Sequence, residues 1–325
     1  MSFRSNVDPE LKPALAFYDQ LALPELTLAD IPARRRQFRE WFTLMHASIP
    51  PNPNVVHEDR RVPGPAGAPD VLLRIYRPKQ PSSSLRPGVY WIHGGGMIVG
   101  DIDMDDTTCA ELVERLGCVV VSVEYRLAPE HPHPAPVEDC YAGLAWTAEH
   151  AKELGIDRAR LAVAGASAGG GLAAATALVA RDRGGPQLVY QCLIYPMLDD
   201  RNSSESSREF SGIPSWSRES NLVGWTALLG EQMGKPGVSP FAAPSRATDL
   251  SGLPPALIQV GELEVFRDED IEYATRLMQA GVGAELHVYP GAFHGWDAMA
   301  PMSGVAKRMV ADRMSALARA LGVST

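Results

Sequence analysis

Leu161-Ala162-Val163-Ala164-Gly165-Ala166-Ser167-Ala168-Gly169-Gly170-Gly171-Leu172 is the stretch from which the rest of the chain can be interpreted. A short apolar strand runs into a turn of small residues, and an Ala/Leu-rich helix follows. The pattern G-x-S-x-G between strand and helix is the signature of a nucleophile elbow. A serine on so sharp a turn needs small neighbours, because glycine accepts backbone angles and close approaches that other residues resist. Ser167 would then stand clear of the sheet beside a helix N-terminus, whose free N–H groups stabilise an anion. The pentapeptide alone is also compatible with a simple small-residue contact between helix and strand, so its partners must decide.

Outward from this turn the chain alternates. Strand-like runs at Val89–Ile92, Val119–Val123, Leu161–Ala164, Leu188–Ile194, Ala256–Val260 and Ala284–Tyr289 are separated by helical patterns. The helices are expected near Asp105–Leu116, Val137–Leu154, after Ser167, Ile271–Ala280 and Val305–Leu321. Such alternation predicts a mostly parallel sheet flanked by helices. Before it, Val55–Val62 and Val71–Tyr76 flank a Pro/Gly turn and predict an antiparallel hairpin. Between Asp199 and about Lys235 the rhythm breaks, and Trp216, Leu222, Trp225, Leu228 and Leu229 recur at roughly helical spacing in what reads as an insertion over the sheet. Residues 1–54 read as N-terminal helices: Ile31, Phe38, Trp41, Phe42 and Met45 share a face, and Arg34, Arg35, Arg36 and Arg39 fall largely on the other, which is read as solvated.

Composition bounds the function. The 325 residues, 45% of them hydrophobic, supply a sizeable core. A net charge of -9 argues against nucleic acid or an anionic membrane as the main partner and favours an uncharged small substrate. Cys109, Cys118, Cys140 and Cys192 form no C-x-x-C pair, so reduced thiols in a cytoplasm are expected, with neither zinc site nor disulfide framework. The first residues lack the apolar core of a signal peptide. The uncharged run from Leu161 to Ala180 has the length of a membrane span, but its three consecutive glycines favour strand, turn and buried helix. His131 and His133 alternate with prolines and read as a rigid turn; no metal or organic cofactor is expected.

Acyl transfer through a serine needs a base, a group that orients the base, and donors for the oxyanion. His294, in Gly291-Ala292-Phe293-His294-Gly295-Trp296, follows a strand end, where open α/β sheets present ligands. His93-Gly94-Gly95-Gly96 ends another strand with bare backbone, so the N–H groups of Gly94, Gly95 and Gly96 are candidate oxyanion donors together with that of Ala168. Candidate acids lie in Glu262-Leu263-Glu264-Val265-Phe266-Arg267-Asp268-Glu269. Asp268 is also explained as a first-turn helix acid, and Glu262 sits nearest the strand end.

These motifs, with Tyr125-Arg126-Leu127-Ala128-Pro129-Glu130, resemble the bacterial hormone-sensitive-lipase family of α/β-hydrolase esterases, in the family's order and over roughly residues 55–325. The resemblance implies an α/β-hydrolase fold with a mostly parallel central sheet flanked by helices. It implies a catalytic domain at 55–325 and a helical cap formed by residues 1–54 and the insertion at about 199–235. It further implies a serine carboxylesterase for short- to medium-chain acyl esters, with Ser167, Glu264 and His294 as catalytic residues, and a homodimer formed near Leu286 or the neighbouring helices. Two positions depart from the family pattern: Ala166 precedes the serine where Asp or Thr is usual, and Glu264 stands where the family has Asp. Glu262 and Asp268 therefore stay open as the acid. Hydrolysis of amides, carbamates or lactones would use the same machinery, and a non-catalytic ligand-binding protein could share the fold. Met97, Trp41, Phe42 and Trp216, with Phe17 and Trp225, are the candidate pocket-wall residues.

Overall fold

The computed structural model describes residues 3–21, 24–47 and 49–323; of the predicted cap segment 1–54, residues 1, 2, 22, 23 and 48 lie outside the description. Helices α1 (Phe3–Asn6), α2 (Lys12–Leu21) and α3 (Ile31–Ala47) come first, followed by the antiparallel hairpin β1 (Val55–Val62) and β2 (Val71–Pro78). Then β3 (Arg86–Ile92), α4 (Asp106–Leu116), β4 (Val119–Glu124), α5 (Ala135–Glu149), β5 (Ile156–Ala166), α6 (Ala168–Asp182) and β6 (Tyr190–Ile194) alternate. Helices α7 (Glu205–Glu209) and α8 (Arg218–Leu229) precede β7 (Ala256–Gly261), α9 (Arg267–Gln279), β8 (Ala284–Tyr289), α10 (Trp296–Met299) and α11 (Gly304–Leu321).

The eight strands form one sheet in the order β1-β2-β4-β3-β5-β6-β7-β8. Strand β2 runs antiparallel to both neighbours, and every pairing from β4 to β8 is parallel. Strands covered on both faces become apolar throughout, which is why β6 is wholly buried and β4 reads Val-Val-Val-Ser-Val-Glu. Edge strand β1 instead exposes most of its residues.

Most boundaries move by a few residues. Helix α5 stops at Glu149 rather than Leu154, because the chain must reverse through Gly155, at φ +75°, to enter β5. Helix α9 begins at Arg267, four residues before the expected Ile271, so that Asp268, Glu269 and Asp270 occupy its first turn. The run Leu161–Ala180 is strand, turn and helix, and no helix among the described residues is long and apolar enough to cross a membrane.

The arginine face of α3 departs from the solvated reading. Arg35 donates to the carbonyls of Ile98 and Ala128 at 2.6 and 2.7 Å and pairs with both oxygens of Glu130, tying α3 to the loop after the glycine run.

Candidate active site

The elbow is built by sterics. Ser167 lies between β5 and α6 at φ 58°, ψ -122°, a conformation a side chain tolerates only when its surroundings enforce it. Gly165 and Gly169 meet there without Cβ atoms, because a methyl on either would collide with backbone of the other strand-end loop. The Ser167 N–H donates to the Ile194 carbonyl at 2.8 Å, fixing the turn against the end of β6.

Adjacent strands bring the partners in. Strands β7 and β8 are parallel neighbours with Gly261 opposite Tyr289, so the loops that follow them run side by side. Their backbones are stitched by Glu262 N–H to the Tyr289 carbonyl and Leu263 N–H to the Ala292 carbonyl, both at 2.9 Å. On that frame His294 Nε2 lies 2.9 Å from Ser167 Oγ, and its Nδ1 lies 2.5 Å from Glu264 Oε2. Glu264 is fully buried, and its other oxygen accepts the Gly261 N–H at 2.7 Å. The longer glutamate thus spans from its own strand end to the imidazole. Phe266 and Tyr195 pack edge-on against the imidazole at 5.2 and 4.7 Å and hold its plane.

The rival acids are engaged elsewhere. Asp268 accepts the Ser206 N–H at 2.7 Å and the Arg267 guanidinium at 2.8 Å, which hold its carboxyl below the ordinary range against its partial burial. Glu262 accepts the Gly291 N–H at 2.9 Å, bracing the histidine loop through its backbone.

The glycine run faces the serine. Gly95 and Gly96 have φ of +110° and +60°, and the Gly95 carbonyl accepts from Ile98 and Val99, turning the chain back on itself. A Cβ on Gly94 would lie 3.4 Å from that of Ser167, so loop and elbow are in contact. The N–H groups of Gly95 and Gly96 donate to nothing within the chain among the described residues, and Ala168 is the first residue of α6, whose N–H has no intrahelical acceptor. His93 underpins the loop: its ring stacks on Tyr125 at 4.2 Å, its Nδ1 lies 2.8 Å from the Gly94 carbonyl, and burial pushes its pKa down to about 4, so it is neutral.

A cavity of about 1120 Å³ opens on Ser167, lined by Gly94, Gly95 and Gly96, by Trp41 and Phe42 of α3, and by Trp216. The Trp216 indole lies directly over Gly96. Met97 is a correction: at φ 62° the chain swings its side chain into the core, where it is fully buried and lines no part of the cavity. Trp225 is likewise core, and Phe17 stacks on the outer side of Trp41. Ser215 and Tyr195, both lining the cavity, were not anticipated; neither lies in a periodic run or a motif that would single it out. Among the described residues no three His, Cys, Asp or Glu side chains gather into a metal site.

Comparison with known proteins agrees with this architecture. Residues 89–298 match the family described as alpha/beta hydrolase fold. Carboxylesterase NlhH of Mycobacterium tuberculosis is 37% identical over 323 residues, 98% of this chain and 97% of that protein. Esterase LipI of the same organism is 39% identical over 248 residues, 76% and 77% of the two chains. Among solved structures, a bacterial heroin esterase superposes with a TM-score of 0.92 at 43% identity, covering 98% of both chains. A hyperthermophilic esterase from Pyrobaculum calidifontis gives 0.87 at 34%, covering 97% of this chain and 99% of that one. With an eight-stranded, mostly parallel sheet, an elbow serine and relatives of this extent, the chain belongs to the alpha/beta hydrolase fold family, in its hormone-sensitive-lipase-like branch.

Proposed function

We propose that the protein is a serine carboxylesterase that cleaves short- to medium-chain acyl esters of small molecules through an acyl-enzyme. The observation that carries this reading is the unbroken hydrogen-bonded line Ser167–His294–Glu264 at the wall of an apolar-sided cavity.

In this reading Ser167 Oγ attacks the ester carbonyl carbon while its proton passes to His294 Nε2. The carbonyl oxygen becomes an oxyanion facing the N–H groups of Gly95, Gly96 and Ala168, with Gly94 shaping the loop. Collapse expels the alcohol, protonated by His294, and leaves the acyl group on Ser167. Water enters, loses a proton to the same imidazole and releases the acid. Glu264 holds the tautomer with Nδ1 protonated and stabilises the imidazolium. No cofactor takes part. Residues 1–54 and the segment at about 199–235 act as the cap, since Trp41, Phe42 and Trp216 wall the cavity from those two segments. A homodimer would use the free edge of β8, where Val288 is exposed; light scattering tests it.

The direct test pairs a fluorophosphonate probe with a nitrophenyl ester series from acetate to palmitate. Adduct formation at Ser167 and a loss of about 10⁶ in kcat for Ser167→Ala are expected. Near-normal hydrolysis by that variant would overturn the assignment.

A further inference from the structure

The cavity extends beyond its aromatic wall. On the side bounded by β3, α4 and α11 its charged lining includes Asp105, Asp297 and Arg313, beside Glu111, Arg115 and Lys307, none of which the reaction above uses.

Arg313 is the anomaly. Only 3% exposed, it makes neither an ion pair nor a hydrogen bond among the described residues, and its Nε is sealed off without an acceptor. A guanidinium brings five N–H donors in a rigid fork and does not shed its charge. Burying one unpaired is unfavourable, and a site with no other role would hold a methionine or leucine of similar reach.

The two carboxylates are each half engaged. Asp105 sits at the N-cap of α4 yet does not cap it; its Oδ2 accepts the Trp91 Nε1–H at 2.7 Å, and Oδ1 has no partner among the described residues. Asp297 Oδ1 accepts the Tyr195 hydroxyl at 2.7 Å, leaving Oδ2 free. Burial, reinforced by Asp297, pushes Asp105 up to about 6, while Arg313 pulls the other way. The wall therefore offers unsatisfied donors and unsatisfied acceptors together.

That combination selects its ligand. An alkyl chain would leave every one of these groups unpaired. An ammonium, which only donates, would leave Arg313 without an acceptor, and a carboxylate would face two acids. A hydroxyl both donates to a carboxylate and accepts from a guanidinium.

We propose that Asp105, Asp297 and Arg313 form a subsite for an uncharged, hydroxylated arm of the ester substrate, Arg313 donating to its hydroxyl oxygen and the carboxylates accepting its proton. The proposal rests on the reading of Ser167 as the nucleophile, and it names the substrate class of that same cavity: one apolar arm against Trp41 and Phe42, one hydroxylated arm against the charged wall.

The test uses matched esters. Ethyl butyrate against ethyl 3-hydroxybutyrate varies the acyl arm, and propyl butyrate against glycerol monobutyrate varies the alcohol arm. Ethyl 4-aminobutyrate and monoethyl succinate supply the charged controls. In one arm the hydroxylated ester should lead in kcat/KM by about tenfold or more. Arg313→Met and, separately, Asp105→Asn should bring that ratio to within about threefold of one. Preference for the plain or charged esters in both arms, or an unchanged ratio in the variants, overturns the proposal. Calorimetric titration of Ser167→Ala protein with glycerol monobutyrate and propyl butyrate reads the same preference without turnover. If the wild type cleaves none of these esters, the esterase reading fails, while the subsite stands or falls on that binding ratio.

Discussion

The hydroxyl of Ser215 donates to the backbone carbonyl of His294 at 2.6 Å. Ser215 belongs to the segment between β6 and β7 and holds a left-handed φ of 73°. Its hydroxyl thus ties a segment outside the sheet to the histidine loop. The next residue, Trp216, covers Gly96. A single dipeptide therefore touches both the histidine loop and the glycine loop.

Ser215→Ala should lower kcat by about fivefold, the equivalent of one lost hydrogen bond of about 1 kcal/mol, with a smaller effect on KM. Ser215→Gly removes the same hydroxyl but relaxes the left-handed backbone. It should match the alanine variant in kcat while melting higher. Steady-state kinetics with calorimetry checks both; unchanged kcat in the two variants would show the tie to be idle.

Gly96→Ala places a methyl against the Trp216 indole at a backbone φ of +60°. The loop must shift, and kcat should fall by about 10²–10³, the usual cost of losing an oxyanion donor. Combining it with Trp216→Leu removes the indole and should recover part of the loss. A double-mutant cycle that comes out additive would refute the coupling.

Replacing Glu264 by Gln keeps its size and removes its charge, so the imidazole loses the partner that sets its tautomer. A drop of about 10⁴ in kcat is expected, as for the acid of a serine triad. Glu264→Asp cannot span both the Gly261 N–H and His294 Nδ1, and should fall between that variant and wild type. Asp268→Asn, in contrast, should cost stability through its Ser206 and Arg267 contacts and leave kcat within a few-fold. Nitrophenyl acetate kinetics on the three variants separates the acids.

Glu124, at the end of β4, accepts the Ile102 N–H at 2.5 Å, and burial pushes its carboxyl up to about 7. The folded state then holds a proton that the unfolded chain has released, so this group makes stability fall as pH rises from about 4.5 to 7. Glu124→Gln removes that dependence. Its melting temperature should gain on the wild type across this window and the gain should level off above it; a constant difference from pH 4 to 8 would contradict the assignment.

Much of the architecture was legible from local pattern. The alternation after Val89, the hairpin and the glycines around Ser167 follow from periodicity and backbone sterics, which neighbouring residues alone decide. Helix ends were less legible, because Gly155 or the first-turn acids of α9 stop or start a helix through contacts that periodicity does not encode. Met97 shows the limit of adjacency: following the glycine run placed it near the site in sequence, but one positive φ sent it to the core. Arg35 shows the limit of amphipathic reading, since a polar helix face can meet another surface instead of solvent.

The sequence by itself determined the strand–helix alternation, the turn that carries Ser167, and the short set of side chains able to serve it. Only the tertiary structure decided which of three carboxylates between residues 262 and 268 meets His294, because that choice depends on β7 and β8 lying side by side in register. It also decided that Arg313, an arginine in a helical pattern, is buried beside the cavity without a hydrogen bond or ion pair among the described residues. Local sequence specifies backbone conformation, whereas the partner of a charged side chain is set by segments distant along the chain, whose approach only the packed sheet defines.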